Sequence, residues 1–373
     1  MRIAILTQPL RYNYGGLLQN YALQVILKRL GHRPITLDIN EYIYTDWKTP
    51  FKVIKRTIWK YIFHKQKATP NWEYKKNHEF KLLETNTGKF IRKHIKFKSY
   101  RNINNLNLSS FDAFIVGSDQ VWRPRYSHGR LDDMFLCFSE GMKVKRIAYA
   151  ASFGTDNWEF SEEQTNKYSH FISLFNAISV REDSGIELCQ RYFKKDAVHV
   201  LDPTMLLTKD DYIKNILPSQ TKTISKYLFY YILDNNDKKE QIVKEYAERL
   251  HLDAITVRAK NERSKEIEQR IQPPLEDWLA AISKAEYVIT DSFHGTVFSI
   301  LFNRPFTVIL NEERGSSRID SLLKCFNLEN RLYKEDNNVN SAIDWNQVNY
   351  ILSAKRKMST DFLKKYLNVQ TQK

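Results

Sequence analysis

The stretch from Ile289 to Phe306, ITDSFHGTVFSILFNRPF, sets a histidine and a glycine among small hydroxylated residues, after a strand-like run and at the head of an apolar helical run. Backbone N–H groups at a helix start attract an anion, and Ser292 and Thr296, flanking Phe293 and Gly295, can add hydroxyl donors. His294 in the same turn can move a proton near neutral pH. A helix capped by Asp291 or Ser292 with an incidental histidine reads equally well from these residues alone.

Four other segments carry residues of chemical interest. In SVRED, Arg181 and Glu182 directly follow a strand, where arginine either grips a phosphate or carboxylate bidentately or pairs with a surface acid. GSDQVWRP offers Ser118, Asp119, Gln120 and Arg123 to sugar hydroxyls and Trp122 to a sugar face; a polar loop over a buried tryptophan is the other reading. NYGG, with Asn13, Tyr14 and Gly15, is a loose phosphate cradle that lacks the Walker lysine and the GxGxxG spacing. RGSSRID, from Arg314 to Asp320, opens a helix with Ser317 and Arg318, a second start suited to an anion or simply a capped one.

The elements that must position these residues follow an α/β rhythm. RIAILTQ (Arg2 to Gln8) is a short apolar strand, and after the Gly15-Gly16 turn Leu17, Tyr21, Leu23, Ile26, Leu27 and Leu30 recur at helical spacing until Gly31. PITLDIN closes a βαβ unit of a parallel sheet. Strands are expected at DAFIV, KRIAYAA, AISV and AVHVLDPTMLL, and helices over Glu162 to Phe175 and REDSGIELCQRYF. A linker is expected near Pro218 to Lys222. A second α/β set then runs through KYLFYYIL, KEQIVKEYAERL, DAITVR, PPLEDWLAAISKA, YVIT and FTVIL to a long amphipathic C-terminal helix. The pattern predicts two Rossmann-like domains facing each other across a cleft, 1–205 and 222–340, with 341–373 packing back across them. Ligands in open parallel sheets sit at the carboxyl ends of strands, which selects Gln8 to Gln19, Gly117 to Arg125, Ala151 to Gly154, Arg181 to Asp183, Asp202 to Thr204 and Thr290 to Thr296.

Composition narrows the function classes. With 42% hydrophobic and 13% aromatic residues in 373, the chain is globular and large enough for two cores. Cys137, Cys189 and Cys325 are dispersed, so neither a disulfide framework nor a zinc site is encoded, which fits a cytosolic compartment. The N-terminus is a poor signal peptide, and no run reaches the roughly 20 apolar residues of a membrane span, so a soluble protein is expected. The net charge of +15 is concentrated: Lys48 to Arg101 holds 16 Lys and Arg against 3 Asp and Glu. This segment lies in a basic, aromatic insert over 41–108, where FKVIKRTIWKYIFHK sets Phe51, Ile54, Ile58, Tyr61 and Ile62 on one helical face and Lys52, Lys55, Arg56 and Lys60 largely off it. Nucleic-acid motifs are absent, leaving a solvated face or contact with an anionic lipid surface.

Taken together, NYGGLLQNYAL, FIVGSDQVW, ISVRED, VLDPT, ITDSFHGTVFSILFNRPF and SSRIDSLLKCFNL resemble, in order and spacing, the polysaccharide pyruvyl transferase family over about 300 of the 373 residues. The resemblance implies a GT-B-like fold, phosphoenolpyruvate as donor, and transfer of its pyruvate onto two hydroxyls of one sugar as a ketal. It implies His294 as the essential histidine and Arg181 as the arginine near the donor. Ser292, Phe293, Gly295, Thr296, Ser317 and Arg318 would line the donor side; Asn13, Tyr14, Gly15, Gln19, Ser118, Asp119, Gln120, Trp122 and Arg123 would line the acceptor side. GSSR stands where many members carry a DPK turn, and GSD where many carry GGG or GGS, departures that bear on Arg318 and on the acceptor. No cofactor or metal is expected, phosphoenolpyruvate being a co-substrate, and the acceptor would be polymeric or lipid-linked at the inner membrane face. A nucleotide-sugar glycosyltransferase of the same fold, or a non-catalytic sugar- or polyanion-binding relative, would share much of this pattern.

Overall fold

The computed structural model describes residues 1–40, 42–43, 47–64, 69–127, 129–217, 226–260, 264–311, 315–335 and 342–367. The expected linker at 218–222 and Arg314 of the RGSSRID turn lie outside the described residues.

Seven strands form the first sheet: β1 (Arg2–Leu6), β2 (Arg33–Ile39), β3 (Phe97–Tyr100), β4 (Ala113–Val116), β5 (Lys145–Ala151), β6 (Ala177–Val180) and β7 (Val198–His199). Their order is β3-β2-β1-β4-β5-β6-β7, and every pairing is parallel. Strands β8 (Tyr227–Tyr231), β9 (Asp253–Ile255), β10 (Tyr287–Thr290) and β11 (Phe306–Val308) form a second parallel sheet in the order β11-β10-β8-β9. The central strands AFIV and YVIT are buried at every position, as parallel strands covered on both faces must be.

Both sheets reverse their strand order once, between β1 and β4 in the first and between β8 and β10 in the second. A crevice opens where the connections leave in opposite directions. At the first, Thr7 Oγ1 donates to the Ser118 carbonyl and Gln8 Nε2 to the Gln120 carbonyl. At the second, the backbone N–H of Leu233 and that of Asp234 donate to the Asp291 carboxylate. Helix α1 (Tyr14–Arg29) starts at the first crevice. One apolar cluster joins α1 to residues of the second sheet, so the halves share a core.

The insert is helical, with α2 (Thr49–Tyr61), α3 (Trp72–Leu83) and α4 (Thr87–His94), but it ends in β3, which adds an edge strand beside β2. FKSY is too short and polar to announce a strand; its register is set by β2. The strand expected over AVHVLDPTMLL shrinks to Val198–His199, because Pro203 opens a 3₁₀ turn over Pro203–Leu206 capped by Asp202. After the insert, the described residues hold α5 (Leu131–Met134), α6 (Glu162–Ser173), α7 (Ser184–Leu188), α8 (Lys209–Asn215) and α9 (Asp237–Leu250). They are followed by α10 (Leu275–Lys284), α11 (Phe293–Leu301) and α12 (Ser317–Cys325). The final helix α13 (Trp345–Leu367) returns to the first sheet: Ser359 Oγ accepts from Leu201 N, and Lys145 Nζ donates to the Tyr366 carbonyl.

Candidate active site

The segment after β10 folds as a tight strand-to-helix turn. Ser292 caps α11 through its hydroxyl, which accepts from Gly295 N at 3.3 Å, and Thr296 Oγ1 donates back to the Ser292 carbonyl. Thr290 Oγ1 accepts from Ser292 N and donates to the Tyr231 carbonyl, tying β10 to β8 at the crevice. A Cβ at position 295 would lie 2.3 Å from Thr290 Oγ1, so glycine is the residue that lets helix and strand approach this closely.

His294, one residue into the helix, lies against α1. A Cβ on Gly15 would fall 2.0 Å from His294 Nδ1, so the two helix starts meet at the imidazole. Asn13 caps α1 by accepting from Gly16 N. Asn13, Gly15, Ser292 and His294 all line one cleft of about 290 Å³ between the two crevices, together with Asp119 and Arg318. Two helix N-termini and an arginine therefore face the same space, an arrangement suited to an anion with more than one charged group.

Behind the histidine lies a buried charged network. Asp202 Oδ2 sits 3.7 Å from His294 Nε2, beyond hydrogen-bond range but within strong Coulombic reach. The same oxygen accepts from Arg181 Nη1 and Ser118 Oγ, both at 3.0 Å, while Oδ1 accepts from Thr204 N and Oγ1. Arg181 Nη2 donates to Asp119 Oδ1 at 3.2 Å, and its guanidinium stacks 4.4 Å from the Phe293 ring centroid. Burial works to raise the Asp202 carboxyl, but the nearby His294 and Arg181 hold it well below the usual carboxylate range. Asp119 is likewise kept low against its burial by Arg181, His294 and Arg318. Burial, reinforced by the neighbouring Arg181, pushes Arg318 down to about 10, which still leaves it cationic at neutral pH. Glu182 accepts from Ser152 Oγ, Phe153 N and Gly154 N, bracing the loop after β5.

The structure brings together at the cleft surface Asn13, Gly15, Asp119, Gln120, Ser292, Phe293, His294 and Arg318 of the residues expected from sequence. Others stand one layer back. Arg181 and Ser118 act on Asp202. Gln19 donates to Thr7 Oγ1 and accepts from Ser118 N, fixing the first crevice. Gly295 and Thr296 shape the turn, and Ser317 stands at the start of α12. Tyr14 is core, with its hydroxyl donating to the Pro273 carbonyl. Trp122 does not offer a face to a sugar: it is fully buried, stacks on Phe135, and donates Nε1–H to the Met134 carbonyl. Arg123 is not open to an acceptor either, because its guanidinium pairs with Glu159 and donates to Gln120 Oε1. Tyr12, Tyr126, Tyr231 and Trp278 supply the aromatic walls instead. Sequence reasoning also missed Asp202 as the partner of His294, although the carboxyl-end rule had placed its segment at the site. Of the two cap candidates, Asp291 or Ser292, Asp291 instead accepts from Lys239 Nζ at 2.7 Å and pins the second crevice.

The family model for polysaccharide pyruvyl transferase matches residues 13–313. No curated protein sequence matches the chain. Among solved structures, the S. aureus MnaA–UDP co-structure aligns over 100% of this chain and 98% of that chain, with a TM-score of 0.52 at 14% identity. UDP-GlcNAc 2-epimerase from Neisseria meningitidis bound to UDP-GlcNAc aligns over 99% and 95%, with a TM-score of 0.46 at 9% identity. MurG of Acinetobacter baumannii aligns over 98% and 94%, with a TM-score of 0.42 at 8% identity. The first of these likenesses shows the fold, a GT-B-type pair of Rossmann-like halves.

Proposed function

The chain belongs to the polysaccharide pyruvyl transferase family, and from that premise we propose that it moves the pyruvate of phosphoenolpyruvate onto two hydroxyls of one sugar, in a surface polysaccharide or its lipid-linked precursor. The observation that carries this reading is the meeting of His294, Arg318 and the starts of α1 and α11 at one cleft. Phosphoenolpyruvate bears a phosphate and a carboxylate, so it calls for several fixed positive ends in one place. The acceptor side would run from Asn13 and Gln120 past Tyr12 and Tyr126.

The reaction balances without an external oxidant or reductant. C3 of the donor takes a proton and C2 gains oxocarbenium character. One sugar hydroxyl forms a C–O bond to C2, and the C2–O bond to phosphate breaks. The second hydroxyl then closes the ketal at C2. Of the two hydroxyl protons, one matches the proton gained by C3 and one leaves with phosphate. His294 is the residue in the cleft with the chemistry to carry such a proton near neutral pH. Asp202, ionised and 3.7 Å from Nε2, sets a fixed negative charge behind the ring. Arg181 keeps Asp202 and Asp119 in place and touches the donor side through Phe293.

Calorimetric titration tests the donor. Phosphoenolpyruvate binds saturably, and Arg318→Gln weakens it at least about tenfold through loss of a charged hydrogen-bond donor. Saturable binding of a UDP-sugar with no binding of phosphoenolpyruvate would replace this reading with a nucleotide-sugar glycosyltransferase.

A further inference from the structure

Helix α2 is mounted inside out. Its protein-facing side carries Thr49, Val53, Arg56 and Thr57, and Arg56 forms a bidentate pair with Glu73 of α3, at 2.6 and 2.8 Å. The opposite side carries Phe51, Ile54, Ile58 and Ile62 in one stripe, at 64%, 56%, 40% and 66% exposure. Trp47 and Tyr61, at 75% and 66%, extend that stripe at its two ends. An amphipathic helix in a globular protein normally turns its apolar side inward, and a contiguous exposed apolar patch marks an interaction surface.

Lys48, Lys52 and Lys55 are exposed beside the stripe, within the segment that holds 16 Lys and Arg against 3 Asp and Glu. Apolar residues flanked by cations, with aromatic rings at the margins, suit the boundary between acyl chains and anionic headgroups. A second copy of the chain fits this face poorly. Pairing it with itself would set one lysine row against another, and a helix about 20 Å long offers far less than the roughly 800 Å² per partner of a stable interface. No helix among the described residues is long and apolar enough to cross a membrane.

We propose that α2 is a membrane-docking helix that lies in the interface of an anionic phospholipid bilayer. The helix is coupled to the cleft. Glu73 and Glu79 lie on α3 and Glu84 caps its end; Glu79 pairs with Arg270 of the second half at 2.5 Å. Glu84 pairs with Arg11 at 3.2 Å and accepts from Tyr42 Oη, and Arg11 lines the cleft. Docking through α2 would therefore bear on the cleft wall through α3 and Arg11. The inference rests on this surface and stands apart from the reaction assigned to the cleft.

Vesicle co-sedimentation of the full chain tests it, using phosphatidylcholine with and without phosphatidylglycerol. The wild type binds the anionic vesicles at least about tenfold more tightly than the neutral ones. Phe51→Ser/Ile54→Ser/Ile58→Ser, which keeps the charge, and Lys48→Gln/Lys52→Gln/Lys55→Gln, which keeps the apolar stripe, each lose at least about tenfold. Lys238→Gln/Lys244→Gln, on exposed positions of α9, binds as the wild type does. All of these positions are solvent-exposed, so circular dichroism should show an unchanged fold. Absence of wild-type binding to anionic vesicles, or unaltered binding by both α2 variants, overturns the proposal. A wild-type dimer that the apolar variant converts to monomer overturns it as well, in favour of a self-association face.

Discussion

Gly15 leaves the space that the His294 ring occupies: a Cβ at Gly15 would stand 2.0 Å from Nδ1. The first helix of one half thus sets the position of the histidine presented by the other. Gly15→Ala must displace the ring or part the two helix starts. Misplacement of a reacting group by about 1 Å costs on the order of 100-fold in rate, while overpacking of this kind costs about 1–3 kcal/mol. The expected result is a fall in kcat of about 100-fold in a protein that still melts cooperatively. Gly16→Ala is the control, because its Cβ would meet nothing closer than 3.6 Å. Equal loss in both variants would show that helix-start flexibility, not clearance for His294, is what glycine supplies.

Asp202→Asn removes the charge shared by His294 and Arg181 while keeping most of the shape. Breaking one side of a buried ion pair costs about 3–5 kcal/mol, and the variant should lose kcat far more than it changes the donor KM. A proportionate rise in KM with unchanged kcat would place Asp202 in ground-state binding instead.

The same network predicts an acid profile. Asp202 and Asp119 are held below their unfolded value of about 3.9. A depressed carboxylate stabilises the fold fully above that unfolded value, and the contribution is lost as pH falls through the folded one. Asp211, held at about 2 by its hydrogen bond with Arg29, behaves in the same sense. Chemical denaturation should therefore give little contribution from these groups to any pH dependence between about pH 8 and 5, and a loss of stability that sets in below about pH 4. Asp202→Asn should make that loss shallower. An equally steep loss in the variant would assign it to other groups.

Much of this arrangement is legible in the sequence, and the gaps have physical causes. The apolar runs and helical spacing mark the βαβ units because each strand is buried on both faces. The Ser292 cap and the His294 turn are local, so their residue types announce them. Asp202 and Gly15 meet His294 only through packing of distant segments, which no local spacing reveals. Trp122 shows the converse error: an aromatic in a polar loop looks available to a sugar, yet Phe135, Phe153 and Phe175 enclose it. Helix α2 shows an amphipathic period clearly, but the period does not say which side meets the protein.

Trp122 should accordingly matter for folding and not for the acceptor. Trp122→Ala is expected to cost about 3–5 kcal/mol, read by denaturant titration, whereas Trp122→Phe should leave the acceptor KM unchanged. Tyr126→Ala, at the cleft wall, should raise that KM severalfold. A raised KM in Trp122→Phe with a normal Tyr126→Ala would restore the sequence reading.

Burial pushes the thiols of Cys137 and Cys189 up to about 12 and raises that of Cys325 as well. A raised value leaves the thiol protonated at pH near 8, and only the thiolate reacts. Iodoacetamide should therefore leave the native protein essentially unlabelled and modify all three cysteines after denaturation. Rapid native labelling of any one, located by peptide mass, would contradict the raised value of that thiol.

The most direct test of the account is phosphate release from phosphoenolpyruvate by wild type and His294→Ala, with free and lipid-linked galactosides, glucosides and N-acetylhexosaminides as acceptors. The account predicts acceptor-dependent release by the wild type, a ketal methyl signal in the product by NMR, and loss of both in His294→Ala. Wild-type rates of release in His294→Ala would contradict the role assigned to the histidine, and no release with any acceptor, alongside saturable binding of a nucleotide sugar, would contradict the reaction itself.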